Sequence, residues 1–282
     1  MHVSHIILGC RDIQKGDAAA AQILRQPQVD SSTTVSVWQV DLNDFTSVLA
    51  FCKRAESQLP RLDGLICNAG IELTRYETSE GFEKTLTINV ISTFLMATKL
   101  LPHLRKTAKA YSIDTHIEIV GSCIHVFGPD GQLAMSSQQG MLTMLSERKT
   151  ADMAQRYALS KLMVHQCFNE WLGTILTKEP DTIHQVIATI VNPGWCSTEL
   201  ARSRPRPVFE RVMFVVFGRT AEEGSRTLVH GITAGREAHG CYLSECQIKD
   251  QSSYVRSMKG ATDRKRLWTE VSTLLANISL QA

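Results

Sequence analysis

One short stretch of the chain places a phenol and a cation at helical spacing. Tyr157 and Lys161 stand four positions apart, and residues at that spacing share one face of a helix. A fixed positive charge favours a phenolate, so we expect Lys161 to lower the pKa of Tyr157. The pair could then pass a proton to or from a carbonyl or alcohol oxygen near neutral pH. A lysine lying along a helix surface gives the same pattern by chance.

Polar residues close three predicted strands elsewhere in the chain. Asn68-Ala69-Gly70 ends one apolar run, Gly121-Ser122 ends a second, and Asn192-Pro193-Gly194 ends a third, with Thr198 shortly after. The carboxyl ends of parallel strands meet at one edge of a sheet, where open α/β folds bind ligands. This agreement predicts that the tyrosine–lysine pair and these strand ends share one crevice.

The elements that must position these residues alternate along the chain. β-Branched runs alternate with amphipathic stretches, which is typical of a parallel sheet covered by helices on both faces. A polar, basic segment at Ser252–Arg266 is expected as a surface connection before a last helix. The predicted strands are His5–Cys10, Val35–Asp41, Gly64–Asn68, Thr115–Ser122, Gln185–Asn192 and Gly240–Leu243. The predicted helices are Ile13–Arg25, Asp44–Gln58, Glu80–Leu104, Asp152–Leu176 and Ala221–Gly231.

Length and composition indicate an ordinary globular protein. The 282 residues, 43% hydrophobic and 21% charged, suit a single α/β domain over 1–282. A net charge of +2 gives no field that would attract nucleic acid. We expect no membrane span, no secretory signal and no metal site. Eight cysteines without a Cys-x-x-Cys indicate free thiols in a reducing compartment, so we expect a cytoplasmic protein.

The combined motifs resemble those of the short-chain dehydrogenase/reductase family from about His5 to Tyr242. The pattern is most similar to retinol-dehydrogenase-like and fungal reductase-like members. Residues 7–12 resemble the end of the family's second strand, and Asp41-Leu42 resembles its adenine-contacting pair. Asn89 resembles the asparagine of its catalytic tetrad. The resemblance implies a Rossmann-like, doubly wound parallel sheet.

The resemblance also implies a role for each matching catalytic residue. Tyr157 would be the general acid/base that touches the substrate oxygen, and Lys161 would lower its pKa and hold the nicotinamide ribose hydroxyls. Ser122 would donate to the substrate oxygen. Asn89 would hold a water that connects Lys161 to solvent through the helix backbone.

The implied cofactor is NADP(H). Arg11, just after the second family strand, would pair with an adenosine 2′-phosphate and favour NADP over NAD; a solvated surface arginine is the alternative. The implied cofactor-binding residues are Arg11, Asp41, Leu42, Asn68, Ala69, Gly70, Tyr157, Lys161, Pro193, Gly194 and Thr198.

The family's opening unit has no counterpart in this sequence. Its Thr-Gly-x-x-x-Gly-x-Gly loop, which cradles the cofactor pyrophosphate, is absent, and four residues precede His5. We therefore expect a sheet truncated at its N-terminus, lacking the first strand, the glycine-rich turn and the first helix. Such a sheet must close up, borrow a strand from a partner, or rely on sequence beyond the stretch given.

Two further regions are expected to line a substrate site, 125–150 and 201–218. The second is apolar with several arginines, and we favour a substrate lid over a membrane-surface helix. A hydrophobic, lipid-like, polyketide-like or terpene-like substrate follows from this composition. The two long helices, Glu80–Leu104 and Asp152–Leu176, are where a homodimer would form by resemblance.

Three functions remain open at this point. The first is an NADP-dependent oxidoreductase that interconverts a carbonyl and an alcohol on a hydrophobic small molecule. The second is a cofactor-independent isomerase, cyclase or dehydratase on the same scaffold, which the missing loop favours. The third is a non-catalytic protein that kept the fold.

Overall fold

Strands and helices alternate in the order that a parallel α/β sheet requires. The computed structural model describes residues 3–134, 140–176, 185–196 and 218–280. Thr198 and almost all of the expected lid at 201–218 lie outside the described residues. The expected site region at 125–150 contains two short helices and one 3₁₀ turn in its described part.

Within the described ranges, the strands form three sheets. A five-stranded sheet has the order β3-β6-β7-β8-β9, with parallel pairing except for the antiparallel β8–β9 pair. The pair β1–β2 is parallel and forms a sheet of its own, and β4–β5 is a small hairpin. The strands are β1 His5–Cys10, β2 Thr34–Gln39, β3 Gly64–Cys67, β4 Thr78–Ser79, β5 Phe82–Glu83, β6 Thr115–Val120, β7 Val186–Asn192, β8 Tyr242–Ser244 and β9 Gln247–Lys249.

Side-chain caps define where several helices begin. Asp12 accepts the Lys15 N–H at 3.1 Å and starts α1, and Asp44 caps α2 in the same way. Such caps satisfy backbone donors that a helix leaves unpaired. The helices are α1 Ile13–Leu24, α2 Phe45–Gln58, α3 Lys84–Leu86, α4 Thr93–Tyr111, α5 Asp130–Ala134, α6 Met141–Ser146, α7 Arg156–Leu176, α8 Ala221–Thr233, α9 Ser253–Arg256 and α10 Met258–Leu280.

The helix expected at Glu80–Leu104 starts later and ends later. Glu80 and Gly81 have positive φ values of 54° and 80°, which close the β4–β5 hairpin and exclude a helix there. The helical stretch begins at Lys84 and passes through the π-helical turn Thr87–Ser92 into α4. Ser112, at a φ of 51°, ends α4 in the left-handed conformation.

Most of this helical stretch is buried. Lys84–Tyr111 is long and apolar enough to cross a membrane by length and composition alone, and 83% of its most apolar window is buried within the protein. That burial is typical of a core helix. No stretch of this length and hydropathy was expected from the sequence.

The surface connection expected at Ser252–Arg266 is wrong. The segment forms α9 and the first part of α10, whose buried side chains Leu267, Val271, Leu275 and Ile278 recur at helical spacing. The last helix that was expected after Arg266 therefore begins earlier, at Met258.

The last helix covers the two long helices of the core. Arg264 of α10 pairs with Glu170 of α7 at 2.8 Å, and the ring of Trp268 meets Phe94 of α4 edge-on at 5.7 Å. Trp171 is fully buried and donates from Nε1 to Thr98 Oγ1 at 3.1 Å. Glu170 and Trp171 thus pack inside the chain, and a homodimer on these helices stays a prediction.

The β1–β2 sheet is attached to the core by helices and not by strand pairing. Helix α2 packs on α4, and Ser92 Oγ donates to the Leu42 carbonyl at 2.7 Å. Within the described residues, no strand pairs with the second edge of β1 or of β3. The sheet therefore does not close up here, and the other two solutions expected from the sequence stay open.

A carboxyl group is buried in the central sheet. Glu118 of β6 is fully buried, and neither of its oxygens has a hydrogen-bond partner among the described residues. A Cβ at Gly231 of α8 would lie 2.2 Å from its Oε2, so glycine makes room for it. Burial raises the pKa of Glu118 to about 9, and the folded chain therefore keeps this carboxyl protonated at neutral pH.

Glu118→Gln should change how stability depends on pH. The folded chain holds the Glu118 proton up to about pH 9, whereas the unfolded chain releases it near 4.5, so the wild type loses stability as pH rises through that window. The free energy of unfolding of the variant minus that of the wild type should rise with pH, by at most about 1.4 kcal/mol per unit. Denaturant unfolding from pH 5 to 8 measures this, with exposed Glu56→Gln as control. A flat difference would contradict it.

Candidate active site

Helix α7 presents Tyr157 and Lys161 on one face, beside the end of β6. Lys161 is buried, and its Nζ donates to the Val120 carbonyl at 2.7 Å. The same Nζ lies 5.9 Å from the centre of the Tyr157 ring. The Ser122 hydroxyl lies close enough to the Tyr157 phenol to lower its pKa. The structure thus brings together Ser122, Tyr157 and Lys161, as strand order and helical spacing predicted.

The side-chain oxygen of Ser122 already accepts one hydrogen bond from the main chain. Its Oγ accepts the Ile124 N–H at 3.2 Å, which starts the 3₁₀ turn Cys123–Phe127. The hydroxyl proton of Ser122 can therefore point toward Tyr157 or toward a substrate oxygen.

The pKa of Tyr157 moves opposite to the expectation from the sequence. Burial raises the pKa of Tyr157 above its usual value, the charge of Glu72 raises it further, and the nearby Ser122 hydroxyl opposes them. The cation of Lys161 is directed at the Val120 carbonyl. The unliganded chain therefore holds a protonated phenol at neutral pH.

Burial also acts on the lysine. It lowers the pKa of Lys161 to about 8, because a buried ammonium loses its hydration. The bond to the Val120 carbonyl keeps the cation at the strand end. Near neutral pH the side chain remains largely charged.

Asn89 braces the site from the π-helical turn. Its Oδ1 accepts the Ile71 N–H at 2.8 Å, and its Nδ2 donates to the Ile71 carbonyl at 2.9 Å and to Ser160 Oγ at 3.0 Å. Ser160 Oγ in turn donates to the Tyr157 carbonyl at 2.8 Å. The amide thus joins the loop after β3 to α7. The water that the resemblance assigns to the Asn89 backbone stays a prediction.

Gly70, in the loop after β3, lies too close to Asn89 for a side chain to fit easily. A Cβ at Gly70 would lie 3.1 Å from Asn89 Oδ1 and 4.0 Å from Lys161 Nζ. Asn68 and Ala69, the other two predicted residues of this loop, are exposed. The loop is therefore placed against the lysine, with its first two residues open to a ligand.

The remaining predicted cofactor residues follow the ends of β1 and β2. Arg11 is exposed and directly precedes the cap of α1. Asp41 accepts the Asn43 N–H at 2.9 Å and sets the turn after β2. Leu42 is tied to the π-helical turn through its carbonyl. Their roles in cofactor binding stay predictions.

Asn192 was predicted to close a strand at the crevice, but the contacts it makes there were not predicted. Its Oδ1 accepts the N–H groups of Cys123 and Gly194, each at 3.1 Å, and its Nδ2 donates to Ser244 Oγ at 3.1 Å. It therefore joins the chain after Ser122 to the Pro193-Gly194 loop, where Gly194 has a φ of 85°. Its place directly before Pro193 at a strand end was the available signal.

Arg156 is a residue that the sequence analysis missed. It precedes Tyr157, is fully buried, and pairs with buried Glu83 at 3.6 Å. Burial lowers the pKa of Arg156, and the Glu83 carboxylate opposes that shift. The pair anchors the start of α7 to β5.

The chain is similar in sequence to known proteins over most of its length. A model of the short chain dehydrogenase family matches residues 6–118. The short chain dehydrogenase/reductase dmxR8 of Cryptosporiopsis sp. (strain 8999) is 33% identical over 279 residues, which cover 95% of this chain and 81% of the relative. The chain belongs to the short-chain dehydrogenase/reductase family. The short chain dehydrogenase FGM9 of Gibberella zeae is 32% identical, covering 100% of this chain and 81% of the relative.

Solved structures agree on the fold of this short-chain oxidoreductase. An uncharacterized protein from Mycobacterium paratuberculosis has a TM-score of 0.65 at 22% identity, covering 95% of this chain and 84% of the other. The 3-ketoacyl-(acyl-carrier-protein) reductase from Brucella melitensis, complexed with NADH, has a TM-score of 0.56 at 18% identity, covering 85% of each chain. The Rossmann-like α/β fold expected from the sequence is confirmed.

Lys161→Met should remove a rising stability component at alkaline pH. Between about pH 8 and 10.5 the unfolded chain holds the lysine proton while the folded chain releases it, so this group makes the wild type more stable as pH rises. The free energy of unfolding of the wild type minus that of the variant should therefore increase across this window, by at most about 1.4 kcal/mol per unit. Denaturant unfolding at pH 7.5 to 10 measures the slope. For the control Lys53→Met, at an exposed lysine, this difference should not change with pH. The same flat result for Lys161→Met would contradict the lowered pKa of the buried lysine.

Proposed function

We propose that the chain is an NADP-dependent oxidoreductase that interconverts a carbonyl and an alcohol on a hydrophobic small molecule. The observation that carries this proposal is the proximity of Ser122 and Tyr157 beside the buried Lys161 ammonium. Two hydroxyls beside a fixed cation can hold one oxygen and move its proton. Family membership supports the reaction class.

The site geometry supports a nicotinamide cofactor at this crevice. An ammonium has three N–H donors, and Val120 uses one of those on Lys161, which leaves donors for ribose hydroxyls. Gly70 follows β3, and Pro193 and Gly194 follow β7, so they lie on either side of the end of β6, where the cofactor's nicotinamide half would be held. When bound, the nicotinamide supplies or accepts the hydride. The Brucella reductase complexed with NADH is a relative in fold.

The residues of the chain would handle the substrate oxygen and its proton. Ser122 would donate to that oxygen and align it, and Tyr157 would give its phenolic proton to the oxygen or take it back. Because burial raises the pKa of Tyr157, the resting phenol is protonated and suits carbonyl reduction. Lys161 would stabilise the phenolate that remains.

Arg11 supports NADP over NAD. It is exposed at the end of β1, and a guanidinium binds phosphate through paired hydrogen bonds. An alcohol dehydrogenase from Thermococcus sibiricus, complexed with 5-hydroxy-NADP, shares the fold with a TM-score of 0.56 at 15% identity, covering 87% of this chain and 88% of that chain. The sequence contains no Thr-Gly-x-x-x-Gly-x-Gly loop for the pyrophosphate, so cofactor binding is the first property to measure.

Exposed apolar side chains beside Ser122 support a hydrophobic substrate. Val126 and Phe127 are 51% and 72% exposed in the 3₁₀ turn that follows Ser122. Apolar side chains that stay exposed at a site mark a surface for an apolar ligand.

The cysteines bear on the cellular location. All eight are free thiols, which supports the proposed cytoplasmic location. Imaging of a tagged full-length protein in its host tests that location.

Tyr157→Phe should abolish turnover while leaving the cofactor bound. The variant keeps the ring but loses the proton, so the reduction rate of a panel of aromatic and medium-chain aldehydes and ketones with NADPH should fall at least about 100-fold. Calorimetric titration should give similar NADPH affinities for both proteins. Tyr111→Phe, at an exposed tyrosine on α4, is the matched control.

Two results would overturn the proposed function. One is a wild-type chain that neither binds NADPH nor oxidises it with any probe. The other is turnover of a substrate that continues after all nucleotide is removed and stops in Tyr157→Phe, which would move the site to isomerase or dehydratase chemistry.

Arg11→Ala should separate the two nicotinamide cofactors. Loss of the guanidinium should weaken NADPH binding about tenfold or more and change NADH binding little, because only NADPH carries the 2′-phosphate. Calorimetric titration of both nucleotides measures the ratio. Arg25→Ala, exposed at the other end of α1, should leave both affinities unchanged. Equal losses for both nucleotides would assign Arg11 a structural role instead.

A further inference from the structure

Two buried histidines are stacked behind Ser122. His125 belongs to the 3₁₀ turn Cys123–Phe127, and His165 lies one helical turn beyond Lys161 on α7. Their ring centroids are 3.8 Å apart, and the ring planes differ by 18°. Both side chains are 2% exposed or less. Two polar rings buried this deeply need a role that offsets the cost of their burial.

The hydrogen bonds of His125 define its tautomer. The backbone N–H of Ser252 donates to His125 Nε2 at 3.0 Å, so Nε2 carries a lone pair and no proton. A neutral imidazole holds its one proton on the other nitrogen. Nδ1 lies 2.7 Å from the Ser122 carbonyl oxygen and therefore donates to it. His125 is a neutral bridge from the Ser252 loop to the main chain of Ser122.

The peptide unit after Ser122 is thereby held from both sides. Its carbonyl oxygen accepts from His125, and its N–H, which belongs to Cys123, donates to Asn192 Oδ1 at 3.1 Å. A peptide group is planar, so two fixed polar atoms set its orientation. That orientation determines where the Ser122 side chain leaves the backbone toward Tyr157.

Neighbouring rings keep His125 in place. His165 covers one of its faces, and the ring of Tyr242 meets His125 and His165 edge-on at 5.5 Å and 5.1 Å. A Cβ at Gly121 would lie 2.7 Å from His165 Nε2, so glycine admits the ring. His125 cannot turn away from the serine without displacing these groups.

The surroundings also keep the bridge neutral. Burial lowers the pKa of His125. Burial lowers the pKa of His165 well below its usual value, and the neighbouring His125 and Lys161 lower it further. The titratable groups that face His125 and His165 are thus Lys161 on α7 and Tyr242 on β8. A proton on Nε2 of His125 would also set two donors against each other at Ser252.

We propose that His125, as the Nδ1–H tautomer, is a positioning residue that aims the Ser122 hydroxyl. The inference rests on the proposed function, in which Ser122 aligns the substrate oxygen. His125 does not touch substrate or cofactor. It acts through the Ser122 carbonyl, and the stacked ring of His165 holds it there.

Two variants of equal polarity test the proposal by turnover. In His125→Asn the amide nitrogen can take the place of Nδ1 and keep the bond to Ser122, so kcat should stay within about threefold of the wild type. In His125→Gln the amide reaches toward Ser252 and the bond to Ser122 is lost, so kcat should fall about ten- to a hundredfold with an unchanged KM for NADPH. His103→Asn and His103→Gln, at a buried histidine on α4, are matched controls. Equal losses in both His125 variants would overturn the proposal.

A second measurement does not depend on turnover. Nitrogen-15 spectra of the histidine rings in the unliganded wild type, recorded from pH 5 to 8, should show His125 protonated on Nδ1 alone. Its signal should not titrate at the usual value of 6.5. A proton on Nε2, or ordinary titration, would overturn the inference. If the wild type proves inactive with NADPH, the proposed function fails and these spectra decide the tautomer separately.

Discussion

The site depends on one buried cation. Lys161 is 6% exposed, and its ammonium is held at the end of β6 by the Val120 carbonyl. An unpaired buried charge is costly, so this bond ties α7 to the strand end just where Ser122 follows. Tyr157 and His165 lie one helical turn to either side of Lys161 on the same face. The place of the cation therefore sets the place of the phenol and of the stacked ring.

Around that cation, side chains fix main-chain groups more than they contact one another. The amide of Asn89 holds Ile71, the amide of Asn192 holds the residues after Ser122 and Pro193, and His125 holds the Ser122 carbonyl. These three side chains come from a π-helical turn, a strand end and a 3₁₀ turn. Because each bond is buried or half-buried, its loss leaves an unpaired backbone group. These three side chains thus hold the main chain around the hydroxyls of Ser122 and Tyr157.

The sequence predicted what depends on local pattern and missed what depends on tertiary burial. Strand ends and the Tyr157–Lys161 spacing could be read because period and order are written in the chain. The fall expected in the pKa of Tyr157 could not be correct, since burial of the phenol outweighs the charge four residues away. The hairpin turn at Glu80 and the start of α10 at Met258 were missed, because the residues there are mostly polar. The histidine stack joins residues forty positions apart, which no spacing rule links.

Carbonyl reduction at this site requires a nicotinamide cofactor that supplies the hydride. β1 and β2 stand apart from the main sheet in the described chain, and the sequence has no glycine-rich phosphate loop. The most direct measurement is label transfer to a probe ketone from NADPH that carries deuterium in place of both hydrogens at the nicotinamide C4. The account predicts an alcohol with deuterium on the carbinol carbon, formed by the wild type and not by Tyr157→Phe. Product without the label, or formed equally well without NADPH, would contradict it.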